Sequence, residues 1–232
     1  MADIKFYYLN GTCATSVHAT LLELGILFKP IEMVRSPNGF VPGDGSMTRE
    51  DYIEKVHPLG YVPALVVHGQ PLTEAIAILS YLASLDPERG LLGKTPWEKA
   101  KVQEWLVWLS GTLHSTGYAA LWRPSRFTDD EALFDAIKTG AKEKIKYCYG
   151  RIEEKIDGTY AVGDHLTVVD FFLNVFWRWG GQGQIGALDA SGLDMGRCPR
   201  FRELVKNVER FEGLREALRT EKKELEFPDQ KL

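Results

Sequence analysis

The sequence predicts a small α/β domain followed by an all-α domain, and three observations carry that prediction. Short strand-like and helical segments alternate through the first third of the chain. A stretch rich in Pro and Gly, "SLDPERGLLGKTP" (84–96), then interrupts the pattern. Beyond it, apolar residues recur at helical spacing only. The boundaries drawn on this basis are 1–85, a linker over 86–95, and 96–232.

The elements follow in order. "IKFYYL" (4–9) is a strand. Residues 14–24 place Val17, Leu21 and Leu24 on one helical face, with Gly25 as the stop. "FKPIEMV" (28–34) is a second strand, and the Gly- and Pro-rich 36–51 is expected to be largely loop. "YVPALVV" (61–67) and the turn after it give two more short strands. "LTEAIAILSYLA" (72–83) is a helix, with Thr73 as its cap. After the linker, Val102, Trp105, Leu106, Leu109 and Leu113 form one apolar stripe, and the series from Leu133 to Ile156 forms another. "LTVVDFFLNVFWRWGG" (166–181) opens with Thr167 and Asp170 at capping-box spacing and closes on Gly180 and Gly181. The charged tail from Thr220 is expected to fray.

Composition narrows the function. Hydrophobic residues make up 44% of 232, enough for a full core. A net charge of -4 argues against nucleic acid or an anionic membrane as the main partner. The chain has no apolar run long enough to span a bilayer and no secretory leader pattern at its start, and it carries only three cysteines. A reducing, cytoplasmic setting is the expectation, with no metal site. The lysines between 138 and 146 read as a solvated helix face.

Cys13 is the informative cysteine. It stands in "NGTCATS" (10–16), at the junction of the first strand and first helix, where unpaired N–H groups and the helix dipole favour a thiolate. With Ser16 in place of a second cysteine, no internal disulfide can form there. The alternative is an inert small residue at a tight turn. Cys148 and Cys198 read as packing residues.

Three stretches together resemble the cytosolic glutathione transferases, in particular the cysteine-containing beta class. They are "YYLNGTCATSVHATLLELG", "HPLGYVPALVVHGQPLTEAIAI" (57–78) and the capping box at Thr167. The resemblance covers nearly the whole chain. It implies a thioredoxin-like first domain that binds glutathione, an all-helical second domain, and a homodimer.

The resemblance also implies residue roles. Cys13 would face the glutathione sulfur, and Tyr8, or less well Tyr7, would donate to its thiolate. The bond between Val62 and Pro63 would be cis, presenting the Val62 backbone to the cysteinyl part. Glu74 would pair with the γ-glutamyl ammonium, and the Ala75 N–H would hold the neighbouring carboxylate. His114 would reach glutathione near the cysteine, and Arg35 is the candidate for the glycine end. Trp122 and Trp179 would line an apolar pocket, between the domains, for a small hydrophobic electrophile. Where the beta class has Gln, Asn and Lys, this chain has Tyr61, Val107 and Ser115. The implied activity is detoxifying conjugation of glutathione. The alternatives are a glutathione-dependent thiol reductase with Cys13 as nucleophile, and a non-catalytic binding protein on the same fold.

Overall fold

A computed structural model describes residues 4–181 and 193–227. The first third has the expected βαβ–ββα order, with two additions. Strand β1 (Ile4–Tyr8) is followed by helix α1 (Ala14–Glu23), β2 (Lys29–Ser36), β3 (Gly39–Pro42), α2 (Arg49–Lys55), β4 (Ala64–Val67), β5 (Gln70–Thr73) and α3 (Ala75–Ser84). The strands form one sheet in the order β3-β2-β1-β4-β5, with β1 and β2 parallel and the other pairs antiparallel.

The additions are β3 and α2. Residues 36–51 are not largely loop: Met33 pairs with Pro42 and Arg35 with Phe40, and α2 begins at Arg49 behind a Thr48–Asp51 capping box. Gly and Pro at the ends of a four-residue edge strand do not prevent it from pairing on one side. The third helix also starts later than expected. Thr73 belongs to β5 and caps nothing; Glu74 is the N-cap residue, with no side-chain cap bond.

The helical part runs α4 (Pro96–Trp108), a π-helical segment (Leu109–Tyr118), α5 (Ala119–Trp122), α6 (Phe134–Lys155), α7 (Val168–Gly180), α8 (Pro199–Val208) and α9 (Glu212–Thr220). Val102, Trp105, Leu106, Leu109 and Leu113 are all buried, as their spacing requires. Every residue of α7 is buried. Its capping box is formed: Asp170 accepts from the Thr167 N–H (2.7 Å), the Thr167 hydroxyl (3.0 Å) and the Ala161 N–H (2.8 Å). Burial pushes the Asp170 carboxyl up to about 6, and those donors offset part of the shift.

Packing divides the chain at points other than the boundaries drawn from sequence. One compact unit takes the residues up to Leu92 together with those from Lys206 on, and the other is Gly93–Val205. The C-terminal residues belong to the first unit because α9 lies against α1. Gly213 permits this approach: a Cβ there would stand 2.6 Å from the Glu23 backbone nitrogen. The described part of the charged tail does not simply fray, since Glu221 is 1% exposed within the first unit; residues 228–232 lie outside the described residues. Among the described residues, no helix is long and apolar enough to cross a membrane, and no cluster of His, Cys, Asp and Glu could hold a metal ion.

Candidate functional site

After Tyr8 the chain turns sharply into α1. Gly11 takes φ +71°, in the left-handed region that side chains disfavour. The Thr12 hydroxyl donates to the Leu9 carbonyl (2.7 Å) and accepts from the Ala14 N–H (3.3 Å). Cys13 therefore occupies the N-cap position of α1. Cys13 is 6% exposed, and its thiol faces the Val62 carbonyl oxygen at 3.9 Å. The first-turn N–H groups and the dipole of α1 make this a favourable place for negative charge.

The Val62–Pro63 bond is cis, as expected. The residues before it are held from α2. The Tyr52 hydroxyl donates to the Tyr61 carbonyl (2.7 Å), and a Cβ at Gly60 would lie 3.0 Å from the Arg49 guanidinium. Arg49 Nη1 also donates to the Phe40 carbonyl (3.1 Å). After Pro63, Ala64 pairs with Thr73, so Glu74 and Pro63 continue from the same end of the β4–β5 ladder.

Glu74 is exposed and has φ +68° and ψ 114°. A non-glycine residue in that region is uncommon, and such strain gathers at ligand sites. The conformation directs the chain from β5 straight into α3, leaving the Ala75 N–H at the helix start.

The two tyrosines of β1 point to opposite faces, as strand alternation requires. Tyr7 packs among Ile31, Met33, Tyr52, Val56 and Ala64. Tyr8 stacks on Phe6 (5.3 Å) and lies 5.3 Å from the His18 ring. Burial raises the Tyr8 pKa, and the nearby carboxylates of Glu32 and Glu221 raise it further, so its hydroxyl keeps its proton. Arg35 is exposed on β2 and lies over the Phe40 ring, 5.7 Å from its centre.

The first unit thus brings Cys13, Val62 and Pro63 together, with Glu74 and Ala75 at the end of the adjoining hairpin. His114, Trp122 and Trp179 belong to the second unit, where they share one aromatic cluster. The His114 ring lies 5.2 Å from Trp179, and Trp179 lies 4.8 Å from Trp122 and 5.0 Å from Tyr118. Burial, with Arg126 and Arg123 adding to it, lowers the His114 pKa to about 4. His114 is consequently neutral near pH 7. It can hydrogen-bond a thiol, but the cationic imidazole that would lower a thiol pKa by charge is unavailable. Trp179 is 2% exposed and serves as core; the Trp122 Nε1 is buried without a hydrogen-bond partner.

Sequence reasoning missed three contributors to the first unit: Arg49, Tyr52 and Glu221. A capping box at Thr48 marked where α2 starts and could have drawn attention to Arg49. No local pattern marks Glu221, which acts from the far end of the chain.

Comparisons with known proteins place the chain in a family. The family profile described as "Glutathione S-transferase, N-terminal domain" matches residues 11–85. The glutathione S-transferase GstA of Escherichia coli O157:H7 is 30% identical over 178 residues, which are 76% of this chain and 82% of that protein. Glutathione S-transferase GST-4.5 of Xanthomonas campestris pv. campestris is 28% identical over 193 residues, 82% of this chain and 89% of the relative. Among solved structures, the ternary complex of BphK, a bacterial GST, superposes with a TM-score of 0.77 at 27% identity, covering 94% of this chain and 99% of that one. The chain belongs to the glutathione S-transferase family.

Proposed function

We propose that this protein is a glutathione transferase that binds glutathione on its first unit and joins the glutathione sulfur to a small hydrophobic electrophile. The observation that carries the reading is the placement of the Cys13 thiol at the N-terminus of α1, 3.9 Å from the carbonyl of Val62. Glutathione is an extended acidic tripeptide with one ammonium, and the first unit offers a complement to each part. The Val62 backbone suits the cysteinyl peptide group. The exposed Glu74 carboxylate suits the γ-glutamyl ammonium, and the Ala75 N–H suits the carboxylate beside it. Arg49, beside Gly60, is a better candidate than Arg35 for the glycine carboxylate, because Arg35 is spread over Phe40 at the sheet edge.

In the reaction, the glutathione thiol gives its proton to solvent and its thiolate attacks the electrophile. A carbon–sulfur bond forms as the leaving group departs. Cys13 S–H and Tyr8 O–H are the proposed donors to that thiolate, and the protonated state of Tyr8 suits this role. His114 contributes as a neutral imidazole. The Trp122 cluster contributes apolar wall for the second substrate. Lowering a thiol pKa by two or three units needs about 1.4 kcal/mol per unit, within reach of two donors and a helix N-terminus. Detoxification, a cytoplasmic setting and a homodimeric state belong to the same proposal.

Calorimetry with glutathione on the wild type and on Cys13→Ser, followed by intact-mass measurement after exposure to oxidised glutathione, tests it. Binding by both proteins without a stable adduct is the expected result. A one-glutathione adduct lost in Cys13→Ser would point to a thiol reductase. No binding would leave only the fold.

A further inference from the structure

Glu221 is a buried carboxylate just beyond α9, and beyond its share in raising the Tyr8 pKa it has no role in the reading above. Its Oε2 accepts from the Gly11 N–H (2.9 Å) and from the Thr15 hydroxyl (2.7 Å). Its Oε1 lies 3.1 Å from His18 Nδ1. Gly11 and Thr15 stand two residues before and two residues after Cys13. One carboxylate therefore grips both shoulders of the turn that carries the thiol, and its third contact ties that turn to the next turn of α1.

Holding α9 in place is not an adequate account of this group. At its other end α9 is already fixed to α1: the Gly213 N–H donates to Glu23 Oε2 (3.1 Å), and Leu214, Ala217 and Leu218 are buried. Glu23 is in turn braced by Arg89 (3.0 Å). The Glu221 contacts are spent on the Cys13 turn. Lys223 closes over the same place, with its Cε 3.1 Å from where a Cβ on Gly11 would stand.

We propose that Glu221 is a positioning residue for glutathione binding, fixing residues 10–15 so that Cys13 and the N-terminus of α1 meet the glutathione sulfur. This rests on the reading of the first unit as the glutathione site. Misplacing a reacting group by a fraction of a side chain's length is enough to cost tens-fold in binding or rate, whereas a residue that only fastens a helix acts through stability.

The test compares Glu221→Ala, Glu221→Gln and Glu23→Ala with the wild type. Each is measured for glutathione affinity by calorimetry, for thermal midpoint, and for KM and kcat with glutathione and a chlorodinitrobenzene as electrophile. Glu221→Ala is expected to weaken glutathione about tenfold or more while moving the electrophile KM about twofold or less. Glu221→Gln keeps an acceptor oxygen for Gly11 and Thr15 and places its amide nitrogen towards His18. It is expected to restore affinity to within about threefold of wild type. Glu23→Ala loosens α9 at the end away from Cys13, so it should lower the thermal midpoint without changing glutathione affinity.

An unchanged affinity in Glu221→Ala overturns the proposal, as does a loss that Glu23→Ala reproduces at equal stability. If Glu221→Ala does not fold, Thr15→Val removes one donor at constant size. A loss of about threefold is then expected, and no loss overturns the idea. Failure of the wild type to bind glutathione is a separate outcome, since it sinks the functional reading itself.

Discussion

The Cys13 thiol faces the carbonyl oxygen of Val62 across 3.9 Å, so the end of one strand turn and the approach to another meet over the same spot. The contact uses the Val62 backbone and leaves its partly buried side chain outside the exchange. Val62→Ala is therefore expected to change glutathione affinity by about threefold or less, equivalent to about 0.6 kcal/mol. A tenfold loss on calorimetry would mean that the side chain, and not the peptide group, is what glutathione touches.

Glu74 should show stability and binding pulling in opposite directions. Its φ of +68° costs energy that glycine would not incur. Glu74→Gly is expected to stabilise the folded protein by about 1 kcal/mol in denaturant titration. Under the proposed pairing of Glu74 with the γ-glutamyl ammonium, the same change removes the carboxylate, and glutathione affinity should fall by about ten- to a hundredfold, corresponding to about 1.5–3 kcal/mol for a charged hydrogen bond. A variant that gains stability and keeps its affinity would assign the strain to the turn alone.

Two groups of the second unit give opposing pH dependences. The His114 pKa is lowered to about 4 by burial, so its contribution is full above the ordinary histidine value and is lost as pH falls through about 4. The Asp170 pKa is raised to about 6, so its contribution is full below the ordinary aspartate value and is lost as pH rises through about 6. Between those values the two slopes partly cancel. His114→Gln should expose the Asp170 slope, with stability falling as pH rises from about 4 to 6. Asp170→Asn should expose the His114 slope, with stability rising over the same range. Urea midpoints at several pH values decide the matter, and parallel profiles for the two variants would contradict both assignments.

The close approach of α9 to α1 makes Gly213 intolerant of a side chain. Gly213→Ala would bring a methyl group to 2.6 Å from the Glu23 nitrogen, and is expected to cost about 1–3 kcal/mol by overpacking. Ala at Gly25, where nothing lies within 4 Å, should cost only the backbone strain of φ +64°, about 1 kcal/mol. Equal losses at the two sites would show that α9 can shift away.

These residues also show what the sequence made legible. Periodicity located α4 and α6 because a buried helix face repeats every three or four residues whatever it packs against. The Thr167–Asp170 box and Gly25 located helix ends because capping is local chemistry. The Cys13 turn and the Val62–Pro63 and Glu74–Ala75 pairs stand out as candidates because each sits within a recognisable stretch. Long-range partnership left no such mark. The strand β3 hides in a Gly- and Pro-rich stretch because β2 supplies its hydrogen bonds. The tail from Thr220 looks like solvated charge, and nothing near Glu221 shows that its carboxylate belongs 206 residues away, on Thr15. His114 was placed as a candidate, but its neutral state follows from Phe176, Trp179 and the arginines that enclose it.

The grip of Glu221 on Gly11 and Thr15 has a consequence for synthesis. A ribosome releases the Cys13 turn well before Glu221, so the first unit waits for the second to be translated before its own interior is complete. Closing a loop of that length costs entropy that only the finished contacts repay. A nascent chain halted after Leu92 would carry the strands of the first unit with the α9-covered side of α1 still bare, a surface for chaperones to hold until α9 arrives.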